Sequence, residues 1–110
     1  RPIANAVWRH DDDSDKGYSN EYWKRLKELK YEFVQGENRK NAGPGGPADV
    51  ALRFTASVPG VHVLIVGTTK PERWQQNADL MKAGPLAKEQ YEAIRARWKQ
   101  VAKPDWIGQT

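Results

Sequence analysis

The chain has 110 residues, a formal net charge of +4 and no cysteine. This length suits one ordinary domain, and a chain without cysteine has no disulfide, no thiol chemistry and no cysteine-ligated metal. No run approaches the ~18 consecutive apolar residues of a membrane-spanning helix. The basic residues are spread along the predicted helices, which favours a solvated surface over a nucleic-acid-binding patch.

The first residues form a short mixed segment with Pro2 near its start, and both a strand end and an extended loop fit residues 1–8. An acidic run follows at 10–15, with the sequence HDDDSD. Carboxylates suit hard cations, but the run lacks the glycine and the distal glutamate of a calcium loop. We therefore interpret it as a solvated loop and predict no metal site.

Residues 20–34 carry the first helical pattern, which Ser19 or Asn20 can cap. Its apolar side chains recur at helical spacing on one face. We interpret this stripe as a core contact rather than a ligand site, and its members are Tyr22, Leu26, Leu29 and Phe33. Residues 36–47 then read as a loop, because the sequence GPGGP at 43–47 interrupts any helix or strand.

Three further helices are predicted downstream. Pro47 supplies a start for a short helix at 48–57, and a second proline opens a helix at 71–82 that a Gly-Pro pair ends. The last helix covers 87–101, with an apolar stripe, and residues 103–110 form a tail that contains a tryptophan.

Val61–Val66, with the sequence VHVLIV, carries the strongest strand signal. The run is nearly all apolar and rich in β-branched residues, which predicts a strand that is buried on both faces. Such a strand needs hydrogen-bonding neighbours on both edges, and the chain offers at most residues 1–8. We therefore expect the chain to be a piece of a longer protein whose absent N-terminal portion, or another copy of the chain, supplies the partners.

A short polar turn joins this segment to the helix that Pro71 opens. That arrangement directs backbone N–H groups and the positive end of a helix dipole to one point, which favours an anion. Lys70 and Arg73 add side-chain cations. The pattern predicts a phosphate site without identifying the phosphate. A plain helix start with surface cations is the alternative, and the spacing alone does not decide between the two.

Residues 65–77, with the sequence IVGTTKPERWQQN, resemble the last strand, loop and helix of the aldo/keto reductases. The resemblance covers nearly the whole chain except 11–46, and its other parts are RPIAN at 1–5, ALRF at 51–54, GPL at 84–86, IRARW at 94–98 and DWIGQT at 105–110. The family has an eight-stranded (β/α) barrel. The resemblance therefore implies an α/β fold, the C-terminal fragment of a TIM barrel, mostly helical with one clear buried strand.

The same resemblance implies how the chain is divided. Residues 1–10 correspond to a loop after a barrel strand, and 11–47 to an insertion with one helix. Residues 48–82 correspond to a helix-strand-helix unit with the cofactor turn, and 83–110 to the C-terminal helix and tail.

NADPH is the cofactor that the resemblance implies, because the turn after the family's last strand grips its 2′-phosphate and adenine. Carried over by position, Thr68 and Lys70 contact the 2′-phosphate. Arg73 covers the adenine face and also reaches the phosphate, a role that suits a planar cation. Gln76 and Asn77 meet the adenine edge.

The remaining predicted cofactor residues are Gly67 and Thr69 in the turn, and Ile3 and Asn5, which correspond to a loop around the pyrophosphate. Two departures from the family pattern matter. Many relatives have lysine where Gly67 stands, so one phosphate cation is absent, and Lys70 can restore that charge. Glutamate often stands at the position of Gln76, so that adenine contact is neutral here.

No catalytic residue is predicted in the chain. The family's catalytic Asp, Tyr, Lys and His lie on the first strands of its barrel, which precede Arg1. The resemblance implies a parent enzyme that moves hydride from NADPH to an aldehyde or ketone, and we expect it in the cytoplasm, without nucleic-acid or membrane partners. The rival interpretation is a non-catalytic helical module whose aromatic stripes dock a protein partner.

Overall fold

Helices account for all the regular secondary structure in residues 4–11 and 19–108, the parts of the chain that the computed structural model describes. The α-helices in these ranges are α1 at Ser19–Leu29, α2 at Pro47–Ser57, α3 at Glu72–Met81 and α4 at Lys88–Val101. Short 3₁₀ helices lie at Ala4–Arg9, Glu32–Val34 and Gly36–Lys40.

The helices predicted at 48–57, 71–82 and 87–101 are confirmed, and each end lies within one residue of its predicted position. Local signals explain this agreement. Pro47 occupies the first helical position of α2, where its missing N–H costs nothing. Gly84, which follows α3, has a φ of 79°, a left-handed conformation that glycine adopts without strain and that ends helices.

The helix predicted at 20–34 is wrong in its last five residues, because α1 ends at Leu29. Lys30 has a φ of 53°, a left-handed conformation that interrupts the helix. Tyr31 is extended, with φ −60° and ψ 132°. Phe33 therefore leaves the face of α1 and stacks on Tyr31, with ring centroids 5.3 Å apart. The segment predicted as a loop at 36–47 also contains the 3₁₀ helix Gly36–Lys40.

The predicted buried strand at 61–66 is wrong, and with it the α/β fragment of a TIM barrel. Residues 61–68 have no regular secondary structure, and no strand, sheet or barrel occurs among the described residues. Val63 is 77% exposed and Ile65 is 86% exposed. The physical reason is the lack of edge partners, because an isolated strand cannot satisfy its backbone N–H and C=O groups. The structure is instead a small helical domain.

The core lies around α2, where Val50 and Leu52 are each 1% exposed. Helix α2 packs against α3, and α1 packs against α4 and against the 3₁₀ helix Ala4–Arg9. The other buried apolar side chains are Ala6, Val7, Leu29, Val34, Leu80 and Leu86. Apolar side chains of α1, α2 and α3 thus supply part of this core, whereas no residue of α4 is fully buried.

Arg53 fixes the end of α3 against α2. Its Nε donates to the Gly84 carbonyl at 2.8 Å, and its Nη2 donates to the Pro85 carbonyl at 3.0 Å. Its Nη1 lies 3.3 Å from Oδ2 of Asp49, a buried carboxylate that also accepts the Gly45 backbone N–H at 2.8 Å. Charge-assisted bonds of this kind hold their partners firmly, so the segment that follows α3 is fixed to α2.

Candidate anion-binding cleft

A cleft of about 910 Å³ lies between the segment that leads into α3, the first turns of α3, and the 3₁₀ helices Ala4–Arg9 and Gly36–Lys40. We call it the basic cleft. All the predicted site residues between positions 67 and 77 line it, namely Gly67, Thr68, Thr69, Lys70, Arg73, Gln76 and Asn77. Its volume is within the range of small-molecule sites, roughly 300–1,000 Å³. The structure therefore brings these residues together, and their role stays a prediction.

The turn before α3 is closed by its own hydrogen bonds. The Lys70 backbone N–H donates to Oγ1 of Thr68 at 3.1 Å. The Arg73 N–H donates to the Lys70 carbonyl at 3.0 Å, and the Trp74 N–H donates to the Pro71 carbonyl at 3.2 Å. Three of the backbone donors that we expected to be available to an anion are thus already used. The attraction of the cleft for anions comes mainly from side-chain charge.

Lys70 and Arg73 provide that charge. Lys70 is exposed and Arg73 is half-buried. No ion pair within residues 4–11 and 19–108 involves either side chain. Their donors are therefore available to a ligand. Glu72 is the acidic residue in the first turn of α3, where it already interacts favourably with the helix dipole.

Three cations that the sequence does not predict as site residues also line the basic cleft: Arg9, Arg39 and Lys40. Nε of Arg9 donates to the Ala6 carbonyl at 3.4 Å, and Lys40 Nζ lies 3.4 Å from Oε1 of Glu37. No periodic pattern surrounds these residues. Only the basic pair at 39–40 could have drawn attention, and nothing local indicates that it faces residues 67–77.

Asp11 is the acidic residue that lines the cleft, and its Oδ1 pairs with Nη2 of Arg39. The hydrogen bond from Arg39, and then its charge, hold the pKa of the Asp11 carboxyl below its usual value of 3.8. The positive charges of Lys27 and Lys40 act in the same direction. Asp11 is thus ionised at neutral pH and neutralises part of the positive charge of the cleft.

Of the two predicted cofactor residues near the N-terminus, the structure describes the backbone of one. Ile3 lies outside the described residues. Asn5 belongs to the 3₁₀ helix Ala4–Arg9, whose members Ala6, Trp8 and Arg9 line the basic cleft. The proposed contact of Ile3 and Asn5 with a pyrophosphate stays a prediction.

Other kinds of site have no support in the part of the chain that the structure describes. No group of three or more His, Asp or Glu side chains there could hold a metal ion. None of the described helices is long and apolar enough to cross a membrane.

Comparison with known proteins gives one match. The sequence model of the aldo/keto reductase family matches residues 9–99, which include every described cleft residue except Ala6 and Trp8. No curated protein and no solved structure matches the chain. The matching family generally uses nicotinamide cofactors.

Proposed function

Because the chain belongs to the aldo/keto reductase family, we propose that its basic cleft binds the adenosine 2′-phosphate side of NADPH. The parent enzyme transfers hydride to an aldehyde or ketone, and NADPH supplies that hydride. The observation that carries the proposal is the position of Lys70 and Arg73. Both cations line one cleft with the other predicted site residues between positions 67 and 77. Neither cation is engaged in an ion pair among the described residues.

The residues of the cleft fit this half of the cofactor. A 2′-phosphate carries a charge of about −2 and strong acceptor oxygens, and the Lys70 ammonium and the Thr68 hydroxyl suit it. The Arg73 guanidinium suits both the phosphate and the face of the adenine ring. Gln76 and Asn77 carry amides, which both donate and accept hydrogen bonds as the adenine edge requires.

The chain itself contributes cofactor binding and no catalytic side chain in this proposal. The catalytic set belongs to a further portion of the protein. That portion, or another copy of the chain, covers the exposed apolar side chains of Val63 and Ile65, which would otherwise remain in water. We place the protein in the cytoplasm, and this location stays a prediction.

The direct test uses two mononucleotides that represent the adenosine half alone. One is 2′,5′-ADP, which carries the 2′-phosphate, and the other is 5′-AMP, which lacks it. Trp8 lines the cleft, so tryptophan fluorescence reports binding. We expect 2′,5′-ADP to bind about ten- to a hundredfold more tightly, the equivalent of one charge-assisted contact. Equal affinity for the two nucleotides would contradict the 2′-phosphate assignment.

A helical protein-interaction module is the second candidate, and exposed apolar side chains favour it. Trp74 on α3 is 71% exposed, and Ile107 in the tail is 68% exposed. Large exposed apolar groups often mark contact surfaces. This candidate predicts no preference between the two mononucleotides, so the same titration separates it from the first.

A further inference from the structure

The basic cleft also carries positive charge on lining residues that lie outside the segment 67–77. They include Arg39 and Lys40 from the last turn of the 3₁₀ helix Gly36–Lys40, and residues that follow this helix also line the cleft. The family resemblance predicts that this segment is part of an insertion, with no site residue in it. The structure brings it to the same cleft as Lys70 and Arg73.

Arg39 is well placed to hold an anion. Its side chain is only 20% exposed, so its position is restrained by its surroundings before any ligand arrives. A guanidinium has five N–H donors in a planar fork, which matches the oxygens of a phosphate. The ion pair with Asp11 uses the Nη2 end of that fork.

Asp11 binds Arg39 more weakly than a phosphate would. Its side chain is 81% exposed, and ion pairs with an exposed partner contribute little because water screens them. A phosphate monoester has a charge of about −2 and more acceptor oxygens than a carboxylate. A phosphate that enters the cleft therefore competes favourably with Asp11 for the same guanidinium.

We infer that Arg39 is a phosphate-binding residue of the basic cleft and that Asp11 is its resting counter-ion, which the phosphate of the nucleotide displaces. This inference rests on the proposed function, because the nucleotide supplies the phosphate. Asp11 thus lowers the affinity of the cleft for anions and excludes weak ones. Lys40 pairs with Glu37, which lies on the same short helix. We therefore do not assign Lys40 the exchange of partners that we infer for Arg39.

The test compares Asp11→Asn, Arg39→Gln and the double variant for binding of 2′,5′-ADP, 5′-AMP and inorganic phosphate. Asp79→Asn is the matched control, because it removes one exposed carboxylate that lies outside the cleft and pairs with Lys82. We expect Asp11→Asn to tighten 2′,5′-ADP by about three- to tenfold and Arg39→Gln to weaken it by a similar factor. In the Arg39→Gln background, Asp11→Asn should have no effect beyond that of Asp79→Asn.

The comparison of 2′,5′-ADP with 5′-AMP identifies which phosphate of the nucleotide Arg39 binds. A gain limited to 2′,5′-ADP assigns Arg39 to the 2′-phosphate, and a gain shared with 5′-AMP assigns it to the 5′-phosphate. The inference is overturned if Asp11→Asn behaves like Asp79→Asn, or if its gain persists without Arg39. If wild type binds 2′,5′-ADP and loses it only in Lys70 and Arg73 variants, this inference fails while the proposed function stands. If wild type binds no nucleotide, both fail.

Discussion

Arg97 of α4 closes the C-terminal end of α1 through the Leu29 carbonyl. Its Nε donates to the Leu29 oxygen at 2.7 Å, and its Nη2 donates to the Glu28 oxygen at 3.2 Å. The last carbonyl groups of a helix lack intrahelical partners, and a cation there also interacts favourably with the helix dipole. Lys30, in its left-handed conformation, donates its backbone N–H to the Leu26 carbonyl at 3.1 Å, a local cap of the αL type. Arg97 adds to this cap, because it satisfies the carbonyls of Leu29 and Glu28.

Replacement of Arg97 should therefore destabilise the protein. Arg97→Met keeps most of the apolar stem and removes the donors, and we expect the free energy of unfolding to fall by about 1–3 kcal/mol. Urea denaturation measures the change. Lys99→Met is the control, since Lys99 is exposed on the same helix, and a surface substitution of this kind stays within about 0.5 kcal/mol. A loss of the same size in both variants would refute the capping role.

We expect the protein to lose stability at alkaline pH as the buried phenol of Tyr31 ionises. Its hydroxyl donates to the Ile94 carbonyl at 3.1 Å. Burial raises the pKa of this phenol above its ordinary value of 10.0, against a smaller lowering by the Arg97 charge. As pH rises past that value, the unfolded chain releases the proton first, so the contribution of Tyr31 is complete below pH 10.0 and is lost above it.

The measurement for Tyr31 is the urea midpoint between neutral and strongly alkaline pH, in wild type and in Tyr31→Phe. The other tyrosines and the lysines are common to both proteins, so the difference between the two curves isolates Tyr31. We expect the midpoint of wild type to fall more steeply than that of the variant once the pH exceeds the ordinary tyrosine pKa. Parallel curves would show that burial of Tyr31 does not influence its ionisation.

The exposed segment at 61–66 predicts self-association or a need for a further portion of the protein. Val63 and Ile65 are 77% and 86% exposed, and large exposed apolar side chains often mark surfaces that contact another chain. We expect light scattering to detect oligomers of the isolated chain. The double substitution Val63→Lys and Ile65→Lys should reduce them without changing the helical circular dichroism. A monodisperse wild-type monomer with a cooperative melt would contradict the proposal.

The sequence was sufficient to predict three helices because their start and stop signals are local. Pro47 and Gly84 act within one turn of the helix ends, independently of the rest of the fold. The strand prediction failed because apolar, β-branched composition reports a tendency to be buried, whereas burial itself requires partners. The end of α1 at Leu29 is also not predictable from the apolar pattern. The apolar spacing of residues 20–34 continues past Lys30, although the left-handed conformation of Lys30 ends the helix.

The candidate site also has one part that the sequence predicts and one part that it does not. Residues 67–77 were identified because they are contiguous and resemble one family turn. Arg39 and Lys40 lie nearly thirty positions earlier, and only tertiary packing brings them to the basic cleft. Their charge carries no sequence pattern of its own. A single sequence thus predicts the contiguous part of a binding site better than the part that comes from a distant segment.

The central claim is that Lys70 and Arg73 bind the 2′-phosphate, and the most direct measurement is fluorescence titration of NADPH and NADH against Lys70→Ala and Arg73→Ala. A charge-assisted contact contributes roughly 1.5–3 kcal/mol, which corresponds to about ten- to a hundredfold in affinity. Lys82→Ala is the control, since it removes a positive charge from the end of α3 outside the cleft.

We expect Arg73→Ala to weaken NADPH by that factor and NADH much less, with some loss for NADH because the adenine face is uncovered. Lys70→Ala should weaken NADPH by a smaller factor and leave NADH unchanged, and Lys82→Ala should affect neither. Equal losses for NADPH and NADH in both variants would contradict the 2′-phosphate assignment and leave a general anion site at the start of α3.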